Sequence, residues 1–486
     1  MTKLQPPNIL FITCDQLRMD ALGCYGNAHI QTPNIDRLAK RSVRFTDMHV
    51  ACPVCAPNRA SWATGRMPSS HGLRVNGTVL PETEATFMEA LRQDGYQTAA
   101  AGKLHFHPQW DYAPGDKAGV LKAAKGEGAV NPQPSESDLP YYGLEHCALV
   151  EDHNGGPYGE MLCNHGFDPW EDPHSFTYPQ HIATRSKYPT HLSKTTWIAD
   201  KSLEFLEQRD HERPFFLWTS FVHPHHPFVA PEPFDTMYTP ADMPLPLWRN
   251  GLEKTFPERY LKKHLANSAS HEAIAMNNIS DNEWQRIKAF YYGMISHIDE
   301  QVGRLLDHLE TQGIMDDTLI VFSSDHGELM GDYHLLFKAT HYGCVTQTPA
   351  LWKLPKDVSA GTVVDSLCST IDFSPTLLEI AGVSTPAGTQ GRSLIPALMN
   401  QPYESRDELL IEDQTPLRTL LTRDWRLTWH GNGKRGELFN RLDDAEELHN
   451  LWESDEHQDI RQELTARLLD ALVDNLDPLP GQTSLC

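Results

Sequence analysis

The chain has 486 residues, 40% of them hydrophobic and 22% charged, a composition typical of a globular protein long enough for a large core and for two domains. Its formal net charge of −24 argues against a nucleic-acid partner, although residues lining a cleft can still attract an anionic substrate. No apolar run reaches the length of about 18 residues needed to span a membrane, so no membrane segment is expected.

The N-terminus passes directly into an apolar strand, without the basic segment, apolar stretch and cleavage site of a secretory signal. This predicts a cytoplasmic enzyme. The nine cysteines are scattered and show no paired Cys-x-x-Cys spacing. Such a pattern favours free thiols in a reducing compartment over a disulfide framework.

The first part of the chain alternates strands with helices. Residues 8–13 form an apolar run that predicts a strand, and Thr32, followed by proline, supplies the start of a helix. The pair Thr86-x-x-Glu89 is a capping box for a second helix. Residues 96–101 then predict a second strand.

The middle of the chain interrupts this alternation and then resumes it. Residues 111–186 are rich in Pro, Gly, His and Asp without clear periodicity, which predicts a variable insertion over the active site. Residues 214–220 predict a third strand, apolar residues from Ile298 to Leu309 recur at helical spacing, and residues 318–322 predict a fourth strand. The alternation predicts an α/β sandwich with a large, mostly parallel central sheet.

A second, smaller domain is expected near the C-terminus. Short strand-like runs between residues 409 and 429 are followed by a turn and a helix over about 460–473. We therefore predict a catalytic domain over residues 1–395 and a C-terminal α+β subdomain over residues 396–486, with a small antiparallel sheet and a packed helix.

Polar residues follow each of the four predicted strands. Asp15 comes after the first strand, Lys103 and His105 after the second, His225 after the third and Asp325 after the fourth. Open α/β sheets bind their ligands at the carboxyl ends of their strands. The sequence therefore predicts one active site that collects these side chains.

A further motif begins at Cys55, which opens a Cys-x-Pro-x-Arg run ending at Arg59. This run, together with the polar residues after the strands, resembles the sulfatase family of the alkaline phosphatase superfamily. In that family a formylglycine-generating enzyme oxidises the cysteine after translation, and the hydrate of the resulting aldehyde is the nucleophile. The resemblance implies an alkaline-phosphatase-like sandwich and makes Cys55 the precursor of formylglycine.

The resemblance also implies one divalent cation, held by Asp15, Gln16, Asp325, His326 and the oxygen of the modified Cys55. Many relatives have two aspartates where this chain has Asp15-Gln16, and asparagine where it has His326. A shell with fewer carboxylates and one imidazole is less specific for Ca²⁺. Ca²⁺ is expected first, and Mn²⁺, Zn²⁺ and Mg²⁺ stay open.

Five further side chains receive catalytic roles from the resemblance. Arg59, one helical turn after Cys55, would hold the nucleophile and neutralise charge. Lys103 adds positive charge, and His105 of the Gly-Lys-x-His run would be the base that expels sulfate from residue 55. His225 would be the acid for the leaving group, and Lys338 an electrostatic partner, because a histidine exchanges protons near neutral pH more readily than a lysine.

Each assignment has a structural alternative. An unmodified Cys55 would be a small buried apolar residue, and Asp15 and Asp325 could cap helices that follow strands. His105 and His225 could be polar turn residues. The occurrence of all these residues in one chain, in this order, favours the catalytic interpretation.

The predicted function is hydrolysis of sulfate monoesters of small aryl, alkyl or sugar alcohols. The alternative with the same machinery is hydrolysis of phosphonate monoesters or phosphodiesters, since the Asp-Gln and Asp-His pairs resemble that subgroup. A catalytically idle homologue with a binding role is a third alternative, which the complete set of site residues argues against. Candidate partners are a small anionic ester, the formylglycine-generating enzyme and a second copy of the chain.

Overall fold

The computed structural model describes residues 6–108, 134, 136–173, 183–247, 274–275, 279–338, 340–414, 417–431 and 435–477. Eighteen strands lie in these residues: β1 Asn8–Cys14, β2 Val43–Phe45, β3 Met48–His49, β4 Gln97–Gly102, β5 His146–Leu149, β6 Ala183–Arg185, β7 Phe215–Phe221, β8 Phe228–Ala230, β9 Ile274–Ala275, β10 Thr318–Ser324, β11 Leu335–Leu336, β12 Ala350–Lys353, β13 Val363–Val364, β14 Cys368–Ser369, β15 Glu408–Glu412, β16 Leu417–Thr422, β17 Trp425–His430 and β18 Gly436–Asn440.

The α-helices of the same residues alternate with these strands. They are α1 Pro33–Lys40, α2 Cys55–Thr64, α3 Pro68–His71, α4 Phe87–Gln93, α5 Gly156–Asn164, α6 Lys194–Gln208, α7 Asp281–Thr311, α8 Gly343–Thr346, α9 Phe373–Ala381, α10 Ile395–Leu398 and α11 Gln458–Asp474. None of these helices is both long and apolar enough to cross a membrane.

The central sheet has eight strands in the order β13-β2-β12-β10-β1-β7-β4-β5. Only β12 runs against the others, since it pairs antiparallel with both β10 and β2, and every other pair in the sheet is parallel. Asn8 lies opposite Thr318 and Cys14 opposite Ser324, so β1 and β10 end at the same level. The predicted large, mostly parallel sheet is confirmed.

Helices cover both faces of this sheet. Leu10 and Ile12 of β1 belong to a core that also contains residues of α1, α6 and α7. Ile9 and Phe11, which point to the opposite face, pack with residues of α2, α4 and α9. Strands buried on both faces read as continuous apolar runs, which is why β1, β7 and β10 were recognisable in the sequence.

The C-terminal region contains the predicted separate antiparallel sheet, in the order β15-β16-β17-β18. Leu464 and Leu468 of α11 pack on this sheet against Leu420 and Leu427. The predicted helix and antiparallel sheet are therefore confirmed. The domain boundary between residues 395 and 396 stays a prediction.

Local details differ from the sequence expectations at two helix starts. The Thr32 hydroxyl does not cap α1: it accepts a hydrogen bond from the Gly23 N–H and donates to Asp36. At α4, the Thr86 hydroxyl accepts from the backbone N–H of Glu89 at 3.1 Å, which is one half of a capping box. The Glu89 carboxylate accepts from Arg92 and not from the backbone N–H of Thr86, so the second half is not formed. The eight cysteines among the described residues are free thiols, as expected.

The predicted insertion, residues 111–186, contains more regular structure than its composition indicated. Residues 111–133, 135 and 174–182 lie outside the described part of the chain. Within the remainder, β5 joins the central sheet beside β4, and α5 follows it. This segment therefore contributes to the sheet itself and brings the residues after β5 to its carboxyl edge.

Candidate active site

Four parallel strands of the central sheet end side by side, and the predicted residues follow them: Asp15 after β1, Lys103 after β4, His225 after β7 and Asp325 after β10. Backbone hydrogen bonds extend the ladder past the strands. The N–H of Asp15 donates to Phe221 O at 3.1 Å, and that of Asp325 to Cys14 O at 3.2 Å. The polar side chains therefore begin from a fixed and fully buried frame.

Glycine is required immediately before Lys103. Gly102 has φ +100°, and a Cβ there would lie 1.9 Å from Ser220 O. Only glycine adopts this conformation without strain and allows so close an approach. The Gly-Lys pair thus turns the chain sharply at the end of β4 and directs Lys103 into the site.

Cys55 is the first residue of α2 and is 1% exposed. Its Sγ lies 2.9 Å from Lys338 Nζ, 3.2 Å from His326 Nε2 and 3.7 Å from Asp15 Oδ1. The cysteine predicted as the nucleophile precursor is therefore surrounded by one cation and by two of the predicted metal ligands. Lys338, which the sequence placed far downstream, reaches the same point.

Four potential ligand atoms, from Asp15, Cys55, Asp325 and His326, all lie within 4.8 Å of one another. His326 Nδ1 faces the Gly327 carbonyl at 2.8 Å, which can only accept, so Nδ1 carries the hydrogen and Nε2 has the free lone pair. Burial lowers the pKa of His326 to about 4. A neutral imidazole, two carboxylates and the atom at residue 55 fit a divalent cation.

Gln16, also predicted as a metal ligand, uses its polar groups within the protein. Its backbone N–H donates to Asp325 Oδ1 at 3.0 Å, and its Oε1 accepts from Lys338 Nζ at 2.9 Å. Its Nε2 donates to the Glu328 carboxylate and lies 3.1 Å from His226 Nδ1. Gln16 therefore orients Asp325 and Lys338, and its ligation of a metal stays a prediction.

Arg59 lies one turn along α2 from Cys55 and is fully buried. Its Nε donates to Asp325 Oδ2 at 2.7 Å, and its Nη1 donates to Lys103 O at 2.6 Å and Ser220 Oγ at 2.8 Å. Its Nη2 lies 3.7 Å from Asp15 Oδ2. Arg59 therefore joins the ends of four strands, β1, β4, β7 and β10, around the site.

The Lys103 ammonium is fully buried between two carboxylates. It lies 2.6 Å from Asp15 Oδ2 and also bonds Asp152. Burial alone would raise the pKa of Asp15, but Lys103 and further cations hold it well below its usual range. The ligand atoms of Asp15, Asp152 and His225 lie within 4.8 Å of one another.

His105 comes two residues after Lys103, and its backbone has a positive φ of 60°. Its backbone N–H donates to Glu151 Oε1 at 3.0 Å, which helps to hold this conformation. Burial and the Lys103 charge lower the pKa of His105 to about 3, so the imidazole is neutral. Its Nδ1 is buried and has no hydrogen-bond partner among the described residues. A neutral ring with an uncommitted nitrogen suits a base.

Several residues around the site were missed in the sequence. Asp152 and Glu151 follow β5, and the short apolar run at residues 147–150 was the signal that could have revealed them. Glu328 bonds Gln16, and burial raises its pKa to about 7. Asn58, inside the Cys-x-Pro-x-Arg run, donates to Asp325 O at 2.7 Å and so fixes α2 to β10.

Known protein families match the chain over nearly its whole length. A family model described as Sulfatase matches residues 7–383, and one described as N-sulphoglucosamine sulphohydrolase, C-terminal, matches residues 331–474. An arylsulfatase of Clostridium perfringens is 30% identical over 467 residues, which cover 93% of this chain and 92% of the relative. A multifunctional alkaline phosphatase superfamily protein of Trinickia caryophylli is 30% identical over 425 residues, covering 83% and 80%.

A solved structure is also closely similar. The phosphonate monoester hydrolase of Agrobacterium radiobacter superposes with a TM-score of 0.82 and 26% sequence identity, covering 99% of this chain and 98% of that one. The central sheet and the C-terminal sheet therefore both have counterparts in a protein of known structure.

Proposed function

Since the chain belongs to the sulfatase family of the alkaline phosphatase superfamily, hydrolases that act on sulfuric esters, we propose that it cleaves small sulfate monoesters with a formylglycine formed at Cys55. The observation that carries the proposal is the position of Cys55. Its Sγ lies within 3.7 Å of a lysine, a neutral histidine and an aspartate that have no structural need to converge on an ordinary buried cysteine.

Asp15, Asp325, His326 and residue 55 would hold one divalent cation, with Gln16 as a further candidate ligand. When present, the aldehyde hydrate supplies an oxygen nucleophile and the cation stabilises negative charge on oxygen. Ca²⁺ is our first choice. Because the shell has only two aspartates and includes an imidazole, Mn²⁺, Zn²⁺ and Mg²⁺ are the alternatives to test.

Three cationic side chains surround residue 55 and its ligands, and two of them would act on the transferred group. Lys338 lies 2.9 Å from the atom at residue 55 and can stabilise both the nucleophile and the sulfuryl oxygens. Lys103 contributes a second charge, next to Asp15. Arg59 is already bonded to Asp325, so its main effect is to fix the carboxylate and to keep α2 in place.

Two histidines handle the protons. His105, neutral and with a free ring nitrogen, is the proposed base that restores the aldehyde and releases sulfate. His225 is the proposed acid for the leaving oxygen. Burial lowers the pKa of His225 well below its usual value, so the acid role requires the negative charge of a bound ester to raise that pKa again.

A second candidate function is hydrolysis of phosphonate monoesters or phosphodiesters. Two observations favour it: the Asp15-Gln16 and Asp325-His326 pairs, and the structural similarity to the phosphonate monoester hydrolase of Agrobacterium radiobacter. The relatives named for sulfate hydrolysis include the arylsulfatase and a choline-sulfatase of Rhizobium meliloti, 28% identical over 464 residues. We therefore place sulfate esters first.

The test combines mass spectrometry with turnover. Protein made together with a formylglycine-generating enzyme should have residue 55 lighter by about 18 Da, the change from thiol to aldehyde. It should hydrolyse a nitrophenyl sulfate, and Cys55→Ala should abolish that activity. Cys24→Ala and Cys52→Ala are matched controls that should retain it. A fully active protein with an unmodified Cys55 would disprove the proposal.

The remaining expectations stay predictions. These are a small anionic ester as substrate, maturation by a formylglycine-generating enzyme, a cytoplasmic location, and a homo-oligomer without nucleic-acid or membrane partners. Gel filtration with light scattering would measure the oligomeric state.

A further inference from the structure

Asp152 is a buried carboxylate that has no role in the chemistry proposed for the site. It follows β5, and its side chain is only 8% exposed. It bonds the fully buried ammonium of Lys103. Because burying a charge is costly unless it is paired, this pair indicates that Asp152 serves the Lys103 ammonium.

Asp15 alone is a poor anchor for Lys103, because Asp15 has several other neighbours. Its carboxylate lies 3.7 Å from both Arg59 Nη2 and Cys55 Sγ, and 3.6 Å from His326 Nε2. It is also a proposed metal ligand. Asp152 therefore gives the ammonium a second carboxylate partner, which keeps Lys103 in place when Asp15 binds the metal.

Asp152 also lies beside His225. The potential ligand atoms of Asp15, Asp152 and His225 lie within 4.8 Å of one another. This trio could be taken for a second metal site, but the Lys103 ammonium contacts both carboxylates. The chain itself thus supplies the cation at this point, and the trio is better explained as a support for Lys103 and His225.

The same two residues border a pocket. Asp152 and His225 line it together with Asn154, Tyr158 and Lys194. Because the proposed acid lines this pocket, the pocket marks the side from which the leaving oxygen would be protonated. Asp152 therefore lies beside the group that would protonate it.

We propose that Asp152 is a positioning residue that holds the Lys103 ammonium and the His225 ring together on the leaving-group side of residue 55. The inference rests on the proposed function, since it assigns a task to residues of that mechanism. Asp152 does not touch the transferred group. It acts through Lys103 and His225, so its loss should matter most when the leaving group needs the most assistance.

The experiment compares Asp152→Asn with wild type on a series of aryl sulfates whose phenols differ in acidity. We expect kcat to fall by about 10- to 100-fold, the usual effect of removing an outer partner of a catalytic group, with KM changed less. The loss should grow as the phenol becomes a poorer leaving group. Asp152→Glu should restore part of the rate, and Glu160→Gln, an exposed carboxylate of α5 in the same segment, should match wild type.

Each other outcome has a defined meaning. Wild-type kinetics in Asp152→Asn would overturn the inference, as would an equal loss for every phenol accompanied by a lower unfolding temperature, which would show a purely structural role. If wild-type protein with formylglycine at residue 55 hydrolyses none of the sulfates, the proposed function itself fails. The wild-type measurement separates the two failures: an active wild type tests the role of Asp152, and an inactive wild type with formylglycine refutes the proposed function.

Discussion

Asp325→Asn should remove the cation from the protein, and the structure indicates why the loss should exceed that of one ligand. The Asp325 carboxylate is shared: Oδ1 accepts from the Gln16 N–H at 3.0 Å and Oδ2 accepts from Arg59 Nε at 2.7 Å. An asparagine has the same shape but no charge. It therefore preserves the packing while it leaves the buried Arg59 guanidinium without its main counter-ion.

The expected magnitude follows from these contacts. Loss of an outer partner of a metal ligand typically costs 10- to 100-fold in affinity, so loss of a ligand charge should cost at least about 100-fold, or roughly 3 kcal/mol. The unpaired Arg59 adds to this loss, since its Nη2 is only 3.7 Å from Asp15 and would compete with the cation for that carboxylate. We therefore expect metal content and turnover to fall together.

The assay is elemental analysis after dialysis against a metal-buffered solution, followed by calorimetric titration with Ca²⁺ and Mn²⁺. Asp316→Asn, whose side chain is 73% exposed, is the matched control and should bind metal as wild type does. The double variant Asp325→Asn/Arg59→Gln removes the orphaned charge. If the effects of the two single substitutions were additive, the double variant would bind the cation most weakly. We expect it to bind more tightly than that sum predicts. Unchanged metal affinity in Asp325→Asn would show that the cation site lies elsewhere.

Two further predictions concern protons. In rapid-mixing experiments with an aryl sulfate, His105→Ala should release about one equivalent of phenol per active site and then stall, whereas His225→Ala should show no burst; the opposite pattern would exchange their roles. For stability, burial and then Arg66 lower the pKa of His71 to about 3, whereas an unfolded histidine titrates near about 6.5. Between about pH 6.5 and 3 the unfolded state therefore binds one more proton at this residue than the folded state does. The free energy of unfolding falls as the pH decreases through this range, and His71 alone should lower it by about 2 kcal/mol between about pH 6.5 and 4.5. Urea unfolding of His71→Gln should show a pH slope smaller by about one proton, and an unchanged slope would contradict the assignment.

The parts of the fold and site that the sequence predicted are those defined by local pattern. Residues that follow an apolar strand by one or a few positions must lie at its carboxyl end, and parallel strands bring these ends together. This pattern alone was sufficient to place Asp15, Lys103 and Asp325 at one edge of the sheet. The Cys55 and Arg59 spacing likewise specified one turn of a helix, which α2 provides.

The parts that could not be predicted depend on contacts between distant segments. β5 is only four residues long, and its partner β4 lies more than forty residues earlier in the chain, so nothing local marks it as part of the central sheet. Asp152 is recognisable only when that pairing brings it to Lys103. The role of Gln16 was equally hidden, because its side chain bonds Glu328 and Lys338, which lie more than 300 residues away in the sequence.

The charge balance of the assembled site predicts its preferred substrate class. Three buried cations face three buried aspartates, in the set Arg59, Lys103, Lys338, Asp15, Asp152 and Asp325. A bound dication would add two positive charges. Burial raises the pKa of both Glu151 and Glu328 to about 7 and lowers that of the neighbouring Lys194 to about 7. These groups offset part of the charge of the dication, and the small positive surplus that remains suits a monoanion.

We therefore expect sulfate monoesters and phosphonate monoesters, which each carry one negative charge, to be better substrates than phosphate monoesters, which carry nearly two. The second charge of a phosphate would meet the carboxylates of Asp15 and Asp325 without a further cation to neutralise it. The measurement is kcat/KM for a nitrophenyl sulfate, phenylphosphonate and phosphate on one batch with known formylglycine content. A ratio of sulfate to phosphonate above one supports the sulfatase assignment, and a ratio far below one favours the phosphonate alternative. If the phosphate is the best of the three, this charge balance is wrong, because a site with a small positive surplus should favour a monoanion over a dianion.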